Sequence, residues 1–138
     1  MRLWHKQLIE VLPRAQLVSQ WRELVAIASN IKTKGTPNHI LVNKIMDYST
    51  DHFITYAEDV KFEMNDRGYK TSGSAWDKIF SVTEHGDSWY RVSYEYLYAD
   101  WMNDEYLKIC YYNLLEKFRC GGISKEEWEL IEWSMQWK

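Results

Sequence analysis

Cysteine is scarce in this sequence: Cys110 and Cys120 are its only two, ten positions apart and without metal-type spacing around them. That excludes a disulfide framework or a paired-cysteine zinc site as the source of stability, and reduced thiols are expected. Long apolar runs are also missing. No stretch approaches the roughly 18 residues of a membrane helix, and the first residues have neither the apolar stretch nor the small-residue cleavage site of a secretory signal. A cytoplasmic protein with no membrane partner is expected. HExxH, GxSxG and Walker-type phosphate loops are absent, as are internal repeats and low-complexity tracts. This removes the common motif-bearing metallohydrolase, serine-hydrolase and nucleotide-binding classes. The four histidines, at positions 5, 39, 52 and 85, are scattered, so no metal ligand set is read.

Positive charge is short overall. Seventeen basic side chains face twenty acidic ones, for a net charge of −3, which argues against a uniformly basic nucleic-acid binder. The mean conceals an asymmetry. Residues 1–46 hold seven basic groups and two acidic ones, net +5, whereas the remainder holds ten and eighteen, net −8. A phosphate-facing surface can be built from the first third, while the remainder would repel DNA.

Aromatic residues and helical periodicity are plentiful. The 138 residues fit one domain, and an aromatic share of 16%, with eight Trp and ten Tyr, suits a dense core with some interface surface. Pro13 opens a helix expected over 14–29, with Leu17, Trp21, Leu24, Val25 and Ala28 as its buried stripe. Gln16, Ser19, Gln20 and Glu23 form a second, polar stripe, which puts Glu23 on the wet side. Residues 30–38 read as a loop marked by Gly35 and Pro37, leaving Lys32 and Lys34 free to meet phosphates. His39–Met46 reads as a short helix. Ser49, Thr50 and Asp51 are N-cap candidates for a second long helix carrying Phe53, Tyr56, Ala57, Val60 and Met64, with Gly68 as its left-handed terminator.

From Tyr69 to Trp101 the pattern weakens, punctuated by Ser72, Gly73, Ser74, Gly86 and Asp87, and irregular chain with short helices is expected; Trp89–Tyr98 fits strand or helix. A third stripe, from Tyr106 through Cys110 and Leu114 to Phe118, ends at Gly121 and Gly122. Ser124 and Glu127 make a capping box for a last helix bearing Trp128, Ile131 and Met135. The fold class is therefore all-α, a single compact domain of three to five helices with irregular connections over 1–138.

One constellation carries chemistry: a terminal amine, a carboxylate and arginines nearby. An α-amine has a pKa of about 7.7–8.0 and is appreciably unprotonated at neutral pH, so it can attack a sugar carbon. A carboxylate held beside that carbon stabilises the cationic sugar and later moves the proton whose loss drives β-elimination. Arginines would anchor the flanking phosphates. Met1, Arg2, Arg22 and Glu23 are the candidates, with His5 and His39 as further candidates for proton transfer or phosphate contact.

Met1 to Leu24, with Arg2 near the start and Trp21-Arg22-Glu23-Leu24 inside the first long helix, resembles the pyrimidine-dimer DNA glycosylase family, the family of the phage endonuclease V. Looser similarity runs through Thr36-Pro37-Asn38-His39-Ile40 to Asp66-Arg67-Gly68-Tyr69. The resemblance implies a compact helical domain, no metal or organic cofactor, and a partner that is double-stranded DNA containing damaged pyrimidines. It implies a DNA repair glycosylase with abasic-site lyase activity at cyclobutane pyrimidine dimers. The terminal amine, here of Met1, would attack C1′, the glutamate matched by Glu23 would be essential, and Arg2 and Arg22 would hold phosphates.

Several features depart from the family pattern. Arg2 is bulky and should leave Met1 in place, a family arginine one turn after the glutamate has no counterpart at Ala26 and Ile27, and Glu126, Glu127, Glu129 and Glu132 crowd the last helix. The family's aromatic tail has a loose analogue in Trp133 and Trp137. Two alternatives follow: a helical offshoot that binds nucleic acid or protein without cutting, and an enzyme using the same amine and carboxylate on another damaged base.

Overall fold

The computed structural model describes residues 1–83 and 89–136. His85, Gly86, Asp87 and Trp137, singled out above, lie outside the described residues. Every regular element among those described is helical: α1 (Arg14–Lys34), α2 (Thr50–Asp66), α3 (Gly73–Phe80), α4 (Asp104–Arg119) and α5 (Lys125–Met135), with short 3-10 helices at Lys6–Val11 and Asn43–Asp47. No described helix is long and apolar enough to cross a membrane.

Helix α1 is longer than its sequence pattern indicates, and Lys32 and Lys34 belong to its last turn rather than to a loop. Ile31 extends the apolar stripe by another turn. The helix then stops at Gly35, whose φ of 74° puts it in the left-handed region that glycine enters without steric cost. The amide N–H of Gly35 donates to Ile31 O at 2.9 Å. Leu17, Trp21, Leu24, Ile27 and Ala28 are buried, and α1 packs on both α2 and α3.

Capping follows sequence chemistry in the second half of the chain. Asn103 accepts from Tyr106 N to start α4, and Ser124 with Glu127 closes the reciprocal box at α5. Between α3 and α4 the stretch left open as strand or helix is neither: residues 89–93 are irregular and 94–101 form successive turns. Within it Tyr98 is fully buried, meeting Trp101 at 5.1 Å and Tyr48 at 4.9 Å between ring centroids.

The first five residues run into the core. Leu3, Trp4 and His5 are buried, which leaves an extended backbone whose polar groups all need partners. Three helices each supply one. Tyr106 of α4 donates its hydroxyl to Leu3 O, Tyr56 of α2 donates to Trp4 O at 2.6 Å, and Gln20 of α1 accepts from Trp4 N at 2.8 Å. His5 Nε2 lies 2.8 Å from Met102 O. Lys6 Nζ donates to Tyr94 O at 2.5 Å and Leu97 O at 2.7 Å.

Candidate active site

The N-terminal segment crosses the polar stripe of α1, and a cleft of about 360 Å³ opens where they meet. Ala15, Gln16, Ser19 and Glu23 of α1 line one side. Met1, Arg2 and Trp4 line another, and Asn113 and Lys117 of α4, with Leu41, complete the rim. Met1 is 40% exposed and Glu23 is half-buried. Among the described residues no ion pair holds Glu23; Gln20 Nε2 lies 3.4 Å from its Oε2.

Gln20 organises this corner. The periodicity places it on the polar stripe with Glu23, yet it is fully buried, because the N-terminal segment covers it. Its Oε1 accepts from Trp4 N at 2.8 Å and lies 3.0 Å from Tyr56 Oη, while its Nε2 donates to Arg2 O at 2.9 Å. The backbone donor on one side and carbonyl on the other fix which way the amide points. Its remaining Nε2 hydrogen is directed at Glu23. One side chain therefore holds both the segment that carries the terminal amine and the carboxylate.

Arg2 is half-buried, its guanidinium carbon 5.4 Å from the Trp4 ring centroid. Burial pushes the Tyr106 hydroxyl and the Cys110 thiol upward, and the nearby Arg2 opposes both shifts. Arg2 thus brings a half-buried cation to the cleft lining, and Lys117 brings an exposed one.

The cleft gathers Met1, Arg2 and Glu23 but not the other residues singled out in sequence. Arg22 is exposed in an adjoining groove with Arg14, Val18 and Glu127; Ala15 and Ser19 form the ridge shared by both hollows. Lys32 lies nine residues beyond Glu23, about half a turn out of phase, and lines a groove with Asp77 and Lys78. Lys34 is nearly in phase with Glu23 but roughly 16 Å along the axis. His5 is buried, with Nε2 against Met102 O and Nδ1 accepting from Gln7 N at 3.1 Å. His39 sits in the turn before the second 3-10 helix, where its Nδ1 accepts from Leu41 N at 3.3 Å.

Asn113 and Lys117 escaped the sequence reading, and Gln20 entered it only as one residue of the polar stripe. Only the covering of α1 by the N-terminal segment and the approach of α4, both tertiary events, bring them to the site. Among the tryptophans between α2 and α4, Trp101 is buried beside Tyr98 and Tyr106, and Trp76 is half-buried with Lys61 Nζ 5.5 Å from its ring centroid. A separate hollow of about 440 Å³ surrounds Arg91, whose guanidinium is held by Glu58 and Asp59. Among the described residues no group of three or more His, Cys, Asp or Glu is arranged to hold a metal ion.

An all-α framework with a small polar cleft, built from the chain start and the first long helix, defines the class: a helical protein whose site is assembled around its N-terminal segment. The chain belongs to the pyrimidine dimer DNA glycosylase family, which matches residues 1–77, more than half of its length. That places it among DNA repair glycosylases. No curated protein and no solved structure matches it.

Proposed function

We propose that the cleft excises damaged pyrimidines at cyclobutane dimers in double-stranded DNA and then cuts the strand, with the α-amine of Met1 as nucleophile and Glu23 as the carboxylate that works with it. The observation that carries this reading is that Met1 and Glu23 line one cleft in a chain of this family.

The chemistry needs nothing beyond these groups and water. The amine lone pair attacks C1′ while the glycosidic bond breaks; the pyrimidine takes the electron pair and stays joined to its neighbour through the cyclobutane ring. A negative carboxylate next to C1′ stabilises the positive charge that develops there. Loss of the amine proton and opening of the ring at O4′ leave an imine between Met1 and C1′. Glu23 then removes a C2′ proton, the electrons move toward the imine, and the 3′ phosphate departs. Water hydrolyses the imine and restores the amine. Arg2 and Lys117 flank the path as phosphate partners, and Arg22 serves the neighbouring groove. His5, with both ring nitrogens engaged by backbone, has a structural part in this scheme.

Ultraviolet-irradiated plasmid incubated with the protein and borohydride tests it. Strand cutting and a covalent protein–DNA adduct located on the Met1 peptide by mass spectrometry are expected, both abolished by Glu23→Gln. Cutting without an adduct would overturn the amine mechanism. The net charge of −8 beyond residue 46 favours a second reading, a family member that binds nucleic acid or protein without cutting. It predicts DNA binding with neither adduct nor nick. Duplexes carrying an abasic site or an oxidised base, run in parallel, separate dimer specificity from the same chemistry on another lesion.

A further inference from the structure

The turn between α1 and the second 3-10 helix exposes apolar side chains where the sequence could have placed polar ones. Ile40 is 85% exposed and Leu41 50% exposed, whereas the next residue, Val42, is fully buried. The turn is tightly pinned. Asn43 Oδ1 accepts from His39 N at 3.0 Å, and Val42 N and Asn43 N both donate to His39 O, at 3.0 and 2.9 Å. Asn38 adopts a φ of 61°, a left-handed conformation that asparagine tolerates better than most residues. Ile40 is therefore presented on a short, hydrogen-bonded tip rather than on a loose loop.

Its surroundings are specific. Leu41 lines the same cleft as Met1 and Glu23, so the apolar tip stands at the rim of that site. From Leu24 to Met46 the chain carries Lys32, Lys34 and Lys44 and no acidic residue, and Lys117 stands on the same rim as Leu41. An apolar point on a lysine-bearing segment, with Lys117 on the same rim, suits a polyanion whose interior is apolar, which describes a stacked duplex between its phosphates.

We infer that Ile40, backed by Leu41, is a wedge that inserts between base pairs beside the lesion, unstacks that step and swings the damaged nucleotide's sugar toward Met1. The inference rests on the proposed function and adds the part it leaves open, namely how C1′ leaves the stack. Reaching that carbon requires unstacking, which is cheapest where the duplex is already distorted. An inserted aliphatic side chain holds the gap open by burying its own surface there. Ile40 is a positioning residue in this scheme and leaves the covalent steps to others.

The test compares two DNAs with the full-length protein, Ile40→Ala and Ile40→Leu. One is a dimer-bearing duplex with 2-aminopurine, which brightens when unstacked, next to the lesion. The other is a single-stranded oligonucleotide with an abasic site, where no stack has to be opened. Ile40→Ala should lower dimer excision by roughly 10- to 100-fold, from the surface an isoleucine buries, and should remove the fluorescence rise. Borohydride adducts on the single-stranded abasic site should stay within about twofold of the unaltered protein, and Ile40→Leu should restore most of both lost signals. Unchanged excision and fluorescence in Ile40→Ala would overturn the wedge while leaving the cleft chemistry standing. Equal losses on both DNAs would overturn it too, since that pattern belongs to a damaged cleft. Absence of any adduct with the unaltered protein would remove the underlying reading and the wedge with it.

Discussion

Replacing Gln20 with Met removes an amide and keeps most of its volume, which isolates the hydrogen bonds from the packing. Gln20 has four partners; half-buried Glu23 can turn to water, and the other three have to be accounted for. Tyr56 retains Trp4 O as an acceptor at 2.6 Å and loses little. The Trp4 N–H loses its acceptor inside the core and incurs the full cost of an unsatisfied buried donor, about 1–3 kcal/mol. The carbonyl of Arg2, only part-buried, can take up water and adds a smaller amount. A loss of about 2–4 kcal/mol is expected, which at about 4 °C per kcal/mol for a chain of this size lowers Tm by roughly 8–16 °C. Thermal and urea unfolding read the total. Amide hydrogen exchange at Trp4 reads the cause, because local release of the N-terminal segment should speed that amide before the helices open. If dimer cutting is assayed as well, the rate should fall further than stability explains, since Gln20 holds the amine-bearing segment and contacts Glu23. A Gln20→Met protein within about 0.5 kcal/mol of the parent, with Trp4 exchange unchanged, would refute the reasoning, because ordinary surface changes fall within that range.

Arg67 donates to Leu12 O at 2.8 Å and Glu10 O at 3.1 Å while pairing with Glu63; Arg67→Met should therefore cost about 1–3 kcal/mol in urea unfolding, with no loss indicating that water replaces the guanidinium. Glu127 is the acid-sensitive link. Burial tends to raise its carboxyl, but backbone N–H groups of Arg14 and Ser124 outweigh this and hold it below its ordinary value of 4.5. A folded value below the unfolded one means stability present above about pH 4.5 and lost as pH falls through the folded value. Glu127→Gln should thus be less stable by about 1 kcal/mol at neutral pH, and the gap should close on acidification in a denaturant series; a gap constant down to pH 3 would contradict the assignment. Lys117→Ala should weaken binding to dimer-bearing duplex and reduce the slope of log K against log salt by about 0.9, as read by fluorescence anisotropy, and an unchanged slope would place Lys117 off the DNA.

Local chemistry was readable wherever one element decides it. The Ser124–Glu127 box, the apolar stripe of α4 from Tyr106 to Phe118 and the glycine stop at Gly68 depend on neighbours in sequence, and so does the spacing that sets Trp21 inward and Glu23 outward. The length of α1 was less so, because Lys32, Thr33 and Lys34 look like loop residues although Ile31 still has a partner face to bury. Gln20 shows the sharper limit. Periodicity assigns a residue to a helix face, but whether that face meets water depends on what crosses it, here the chain's own first residues. Asn113 and Lys117 reach the cleft by the packing of α4, which no local pattern encodes. Ile40 was part of the resemblance as a letter in a motif; its exposure emerged only from the hydrogen bonds that pin the turn.

The threading of residues 2–6 through the core also bears on how the molecule may be divided. The family match ends at residue 77, yet Leu3, His5, Lys6 and Arg14 are hydrogen-bonded to Tyr106, Met102, Leu97 and Glu127. A fragment trimmed to the matched portion would lose those four tethers and leave the amine-bearing strand without much of its seat. The second half, for all its excess of acid, is the clasp that keeps the first half's working end in place.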